Sequence, residues 1–116
     1  MDLATHFPLP AQARVTVFAP HPDDEAFGCG GLLHQLVLAG HCIRVIIVSD
    51  GGYGEFGRDI AARQRESQAA ARVLGYPPPI FWGFPDQELS QAAALSPACR
   101  DELTQHPPQL VLAPSP

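Results

Sequence analysis

The chain has 116 residues, 46% of them hydrophobic and 16% charged, which is enough for one domain with its own core and too few for two. Twelve acidic residues against seven basic ones give a formal net charge of −5 without any basic cluster, which argues against a nucleic-acid or anionic-membrane surface. The longest apolar run, residues 42–48, is interrupted by Arg44 and falls far short of the ~20 residues that span a bilayer.

The amino-terminal residues and the cysteines both indicate a reducing compartment. No basic stretch followed by an apolar core occurs at the start of the chain, so no secretory signal is visible and we expect a cytoplasmic protein. Cys29, Cys42 and Cys99 are scattered and form no Cys-x-x-Cys pair, which argues against a disulfide framework or a thiolate zinc site. We therefore expect reduced, mostly buried thiols.

Strand-like and helix-like segments alternate along the chain. The strands are predicted at 14–19, 41–48, 80–82 and 109–113, and the helices at 25 to about 39, at 59–74 and over part of 96–105. Gly40 and Gly75 stand where helix C-caps belong. This alternation predicts βαβ units with right-handed crossovers and a parallel sheet, whose functional loops follow the carboxyl ends of the strands.

The most informative string is Pro-His-Pro-Asp-Asp-Glu at residues 20–25, directly after the first predicted strand. A divalent ion such as zinc accepts imidazole and carboxylate ligands, and a catalytic site keeps one position open for water. Neighbouring residues in an extended turn point in different directions, so Asp23 and Asp24 can divide the roles of ligand and base. The residue types alone fit a structural role equally well, with Asp24 as N-cap, Glu25 beside the helix dipole and His21 as a solvated turn residue.

Residues 19–25 reproduce in full a family signature, and on that basis the chain resembles the PIG-L/LmbE-like N-acetylglucosaminyl deacetylases. Three further segments are similar to family motifs in the right order: Ser-Asp-Gly-Gly-Tyr-Gly at 49–54, Arg-Gln-Arg-Glu at 63–66 and Phe-Pro-Asp at 84–86. The resemblance covers residues 14–116. It implies an α/β fold with a Rossmann-like parallel sheet and flanking helices, in one partial domain over residues 1–116.

The resemblance also implies roles for individual residues. Carried over position by position, it makes His21 and Asp24 metal ligands and Asp23 the general base. It further implies that Arg63 and Asp86 help to hold the substrate. The alternatives are a surface arginine paired within its own helix and a turn residue after a proline.

The chain departs from the family pattern at its third metal ligand. That ligand comes from a His-Pro-Asp-His motif after the fourth strand, and the sequence ends at Pro116 where this segment should begin. His106 precedes the fourth strand, so it lies at the opposite sheet edge from His21, about 15 Å away for a five-residue strand. We therefore expect a domain truncated on its carboxyl side, feeble or inactive alone, with an exposed edge strand that favours self-association.

Three functions stay open on this basis. The first is a zinc-dependent hydrolase, an enzyme that removes acetyl from an N-acetylglucosamine-type substrate; another divalent metal could replace Zn²⁺. Its partners are a small N-acetylated sugar and further copies of the chain as a homo-oligomer, with no nucleic acid and no membrane span. The second is a non-catalytic relative that binds metal or sugar weakly or only oligomerises. The third, a dinucleotide-binding module, is disfavoured because Leu33 occupies the third glycine position and the acidic loop repels a pyrophosphate.

Overall fold

The computed structural model describes residues 9–20, 24–49, 60–84 and 95–113, with backbone only at 24–29. Strands and helices alternate throughout these residues, which confirms the predicted α/β class. In chain order they are β1 (Arg14–Ala19), α1 (Asp24–Leu38), β2 (Cys42–Ser49), α2 (Ile60–Leu74), β3 (Ile80–Phe84), α3 (Leu95–Gln105) and β4 (Leu110–Leu112).

The four strands form one parallel sheet in the order β3-β2-β1-β4. The chain moves outward in one direction from β1 to β3 and then returns across the sheet to the far side of β1. Because parallel crossovers are right-handed, this reversal puts α1 and α2 on one face and α3 on the other. The sheet is therefore covered by helices from both sides, as predicted.

The hydrophobic core lies between the sheet and the two helices α1 and α2. Alternate strand residues point to this face, which is the period-two pattern of a pleated strand. Their apolar side chains meet the helices in a continuous cluster. Its buried members are Val15, Val17, Ala19, Leu33, Leu36, Ile43, Val45, Ile47, Ala71 and Tyr76.

The other face of the sheet holds a partly buried ion pair that attaches α3 to β2. Arg44 alternates with core residues of β2 and so points away from the core. Its Nε donates to Glu102 Oε2 at 2.7 Å and its Nη2 donates to Glu102 Oε1 at 3.0 Å. On the same face, the rings of Phe18 and Trp82 lie 5.9 Å apart on the two strands that flank β2. This face is thus partly polar and partly aromatic.

Several strand ends differ from the prediction by one or two residues. β2 starts one residue later than predicted, and β4 covers Leu110–Leu112 where 109–113 was expected. Ser49, assigned from the sequence to the following loop, is the last residue of β2. β3 runs two residues further than predicted, to Phe84. Gly83 has a φ of 75°, and the pairing with β2 shifts its register between Ile47 and Ser49, so Phe84 still pairs with β2. Glycine adopts this left-handed conformation without steric cost, and such irregularities are not visible in an alternation pattern.

The prediction of mostly buried thiols is wrong for the cysteines whose side chains are described. Cys42 is exposed and Cys99 is half-buried. Cys42 is the first residue of β2 and points to the face opposite the core, so the apolar cluster does not bury it. Within the described residues, no helix combines the length and apolar character needed to cross a membrane.

Candidate functional site

The strand order reverses between β1 and β4, and in an open parallel sheet this reversal predicts a crevice at the carboxyl edge. β1 and β4 are neighbours, yet the connection after β1 leads away from β4 and towards β2. In open α/β sheets, ligands bind outside the carboxyl ends of the strands at the point where the strand order reverses. β1 ends at this point, and the predicted metal ligands follow it in the sequence.

A backbone hydrogen bond fixes where that segment begins. The amide of Ser49 donates to the carbonyl of Pro20 at 2.9 Å, one residue beyond the last residue of β1. Ser49 is only 1% exposed, so this bond is shielded from competing water. The end of β2 therefore holds Pro20 in place immediately before His21.

Two of the predicted site residues fall within described elements. Asp24 is the first residue of α1, and Arg63 lies in the first turn of α2, where it is half-buried. Each of these helices follows a parallel strand and starts at its carboxyl end, so both residues are at the edge with the crevice. His21, Asp23 and Asp86 lie outside the described residues.

The prediction of a metal site rests on donor chemistry and on the positions of Pro20 and Asp24, which lie on either side of residues 21–23. Among the residues that the structure describes, no group of three or more His, Cys, Asp or Glu side chains is close enough to share an ion. The predicted ligands contribute one imidazole nitrogen and one carboxylate oxygen, a set that suits zinc and also other divalent ions. His106 is at the other edge: it follows α3, precedes β4 and lines a cleft with Arg14, the first residue of β1.

Comparison with protein families places the chain in a known family. The family model described as PIG-L: GlcNAc-PI de-N-acetylase matches residues 16–116. This range includes every predicted site residue and six of the seven strands and helices in full, together with most of β1.

Individual relatives agree with that match. The chain is 27% identical to the diacetylchitobiose deacetylase of Thermococcus kodakarensis over 100% of this chain and 46% of the relative. Among solved structures it is similar to the N,N'-diacetylchitobiose deacetylase of Pyrococcus horikoshii, which was solved with an inhibitor. The TM-score is 0.80 at 26% identity, and the match covers 97% of this chain and 46% of the other. It is also similar to the conserved protein TT1542 of Thermus thermophilus, with a TM-score of 0.77, 31% identity and coverage of 89% and 46%. The chain thus spans about half the length of these relatives.

Proposed function

We propose, because the chain belongs to the PIG-L (GlcNAc-PI de-N-acetylase) family, that it forms the amino-terminal part of a metal-dependent hydrolase that deacetylates an N-acetylated amino sugar. The observation that carries this proposal is that Pro20 and Asp24, the described residues on either side of 21–23, both lie at the carboxyl edge where the strand order reverses. Diacetylchitobiose deacetylases are among the similar proteins, which supports an N-acetylglucosamine-type substrate.

In this proposal His21 and Asp24 hold the ion, which is Zn²⁺ or another divalent metal. When bound, the ion supplies Lewis-acid chemistry: it polarises the amide carbonyl and makes water a better nucleophile. The chemistry of the donor set supports this assignment, since one nitrogen and one oxygen ligand leave positions open for water and substrate. Pro22 restricts the segment by its fixed φ, which limits how far the two ligands move relative to each other.

Asp23 is proposed as the general base. It takes a proton from the attacking water as the water oxygen bonds to the acetyl carbon. The carbon–nitrogen bond of the amide then breaks, the amine nitrogen receives a proton, and acetate and the free amino sugar leave. Neighbouring side chains in an extended turn point in different directions. Asp24 can therefore bind the ion while Asp23 faces the attacking water.

Arg63 and Asp86 are proposed to hold the substrate. The position of Arg63 in the first turn of α2, half-buried at the carboxyl edge, supports this role. Its guanidinium offers several donors to sugar hydroxyl or carbonyl oxygens, while the carboxylate of Asp86 accepts from hydroxyl groups. These two side chains would orient the sugar so that its acetamido group meets the ion.

A second candidate function is a non-catalytic relative that binds metal or sugar weakly, or only forms a homo-oligomer. Within the described residues, no group of three or more His, Cys, Asp or Glu side chains is placed to share an ion, which keeps this candidate open. The edge position of β4 and the 42% exposure of Val111 are consistent with contacts between copies of the chain.

Acetate release from an N-acetylglucosamine disaccharide, measured with zinc content on the same samples, tests the proposal. We expect feeble turnover in the presence of zinc, and we expect Asp23→Ala to abolish this turnover while zinc content persists. Asp101→Ala, an exposed carboxylate on α3, is the control and should keep full activity. Turnover retained by Asp23→Ala would refute the base assignment, and no turnover in the unmodified chain would favour the second candidate.

A further inference from the structure

A second cleft lies at the amino edge of the sheet, away from the proposed deacetylase site. It has a volume of about 170 Å³ and is lined by Arg14, Thr16, Cys42, Ile43, Arg44 and His106. These residues come from the starts of β1 and β2 and from the end of the segment that contains α3. The six residues of β1, at about 3.3 Å each, separate this cleft from the carboxyl edge by roughly 20 Å.

The strand register brings two arginines to the same face at this edge. Arg14 pairs with Cys42 and Thr16 pairs with Arg44 in the parallel ladder. Because side chains alternate along a strand, all four point to the face opposite the core, and Arg14 and Arg44 are diagonal neighbours on adjacent strands. Two permanent positive charges therefore meet at one cleft in a chain whose formal net charge is −5.

Both guanidinium groups are oriented by the protein and keep donors to spare. Arg14 Nε donates to the carbonyl of Pro107 at 2.8 Å. Arg44 uses Nε and Nη2 for Glu102, as described above. Within the described residues, the Nη atoms of Arg14 and the Nη1 atom of Arg44 have no protein acceptor. Glu102 offsets one of the two charges, and none of the residues lining the cleft is acidic.

We propose that this amino-edge cleft binds a phosphate group, either as the free anion or as the end of a phosphomonoester. Guanidinium groups match phosphate geometry through paired N–H donors, and orientation by existing bonds lowers the entropy lost on binding. A cavity needs only about 10–15 Å³ to hold a water, so 170 Å³ leaves room for a tetrahedral oxyanion. Thr16 and His106 line the same space and add a hydroxyl and a ring nitrogen as hydrogen-bonding groups.

Cys42 provides a reporter for this site without any added label. It is exposed and lines the cleft, whereas Cys99 is half-buried and does not line it. The rate of alkylation of each thiol by a neutral maleimide is measured by peptide mass spectrometry. Inorganic phosphate and glycerol phosphate are added in two separate titrations. Chloride is the control anion, and ionic strength and pH are held constant. We expect saturable slowing at Cys42 and an unchanged rate at Cys99.

Paired arginine variants assign the effect to the cleft. Arg14→Gln removes one charged donor group and should raise the phosphate concentration for half-protection about tenfold. Arg72→Gln makes the same charge change at an exposed position on α2 and should leave that concentration unaltered. If only inorganic phosphate slows the alkylation of Cys42, the ligand is the free anion. If both compounds slow it, the cleft also accepts the end of a phosphomonoester. Each result supports the proposal.

Two results would overturn it. The first is the absence of slowing at Cys42 by either compound in the unmodified chain, a measurement that needs no variant to fold. The second is a half-protection concentration in Arg14→Gln equal to that of the unmodified chain, with far-ultraviolet circular dichroism showing that the variant is folded.

Discussion

The amide nitrogen of Ser49 lies 2.9 Å from the carbonyl oxygen of Pro20, so the end of β2 holds the first residue after β1. Proline has no N–H group, and its carbonyl is the one backbone group through which the sheet can hold it. The bond places the start of the 21–23 segment at a fixed point beside the crevice. It links the fold to the proposed chemistry, because His21 is the next residue in the chain.

The position of Arg63 predicts a specific kinetic effect. We expect Arg63→Ala to raise KM for the N-acetylated sugar about tenfold, since one charged hydrogen bond to substrate is lost, with a smaller change in kcat. Arg72→Ala, about 13 Å further along α2 by helical rise, should leave both constants unchanged. Steady-state assays of acetate release on both variants check this. Equal KM values for the two variants would remove Arg63 from the substrate site.

The ion pair between Arg44 and Glu102 predicts a stability difference between neighbouring acidic residues of α3. Glu102→Ala should lower the free energy of unfolding by about 1–2 kcal/mol, because Arg44 loses both acceptors in a partly buried position. The loss stays below that of a fully buried pair since the Arg44 side chain is 36% exposed and regains water.

Asp101→Ala is the matched control for that change, because Asp101 is exposed on the same helix. Its free energy of unfolding should stay within about 0.5 kcal/mol of the unmodified chain. Urea unfolding followed by circular dichroism measures all three proteins. A loss in Asp101→Ala as large as that in Glu102→Ala would show that the ion pair is not what attaches α3 to the sheet.

Two leucines of α1 test where the core lies. Leu33 is 0% exposed and Leu38 is 72% exposed. Leu33→Ala should cost about 2–5 kcal/mol through lost burial and the cavity left behind, whereas Leu38→Ala should cost no more than about 0.5 kcal/mol. The same urea experiment compares them. Similar losses at both positions would contradict the packing of α1 described here.

Much of the fold follows from local patterns in the sequence. β1 was predicted with its observed bounds, and α1 and α2 to within one residue at each end, because apolar periodicity and terminal glycines are local signals. Gly40 and Gly75 have φ values of 90° and 93°, which confirms both predicted C-caps. The end of β3 was missed because it depends on a glycine irregularity in pairing with β2.

The two proposed sites differ in how far the sequence predicts them, because one is local in the chain and the other is not. The predicted metal ligands His21 and Asp24 could be proposed from the sequence because they lie within one short motif, and their roles stay predictions. The amino-edge cleft joins residues from three distant segments, and Arg44 pairs with a glutamate 58 positions away. The sequence shows Arg44 only as a single arginine inside an otherwise apolar strand. The register of β1 against β2 is needed to see that it lies beside Arg14.

Zinc binding by the unmodified chain and two histidine variants tests the central claim most directly. Competition with a fluorescent chelator gives the affinity, and His106→Ala serves as control because His106 is at the opposite edge of the sheet. We predict zinc binding that is lost in His21→Ala and retained in His106→Ala. Equal zinc affinity in the unmodified chain and in His21→Ala would contradict a metal centre after β1, and with it the proposed hydrolase.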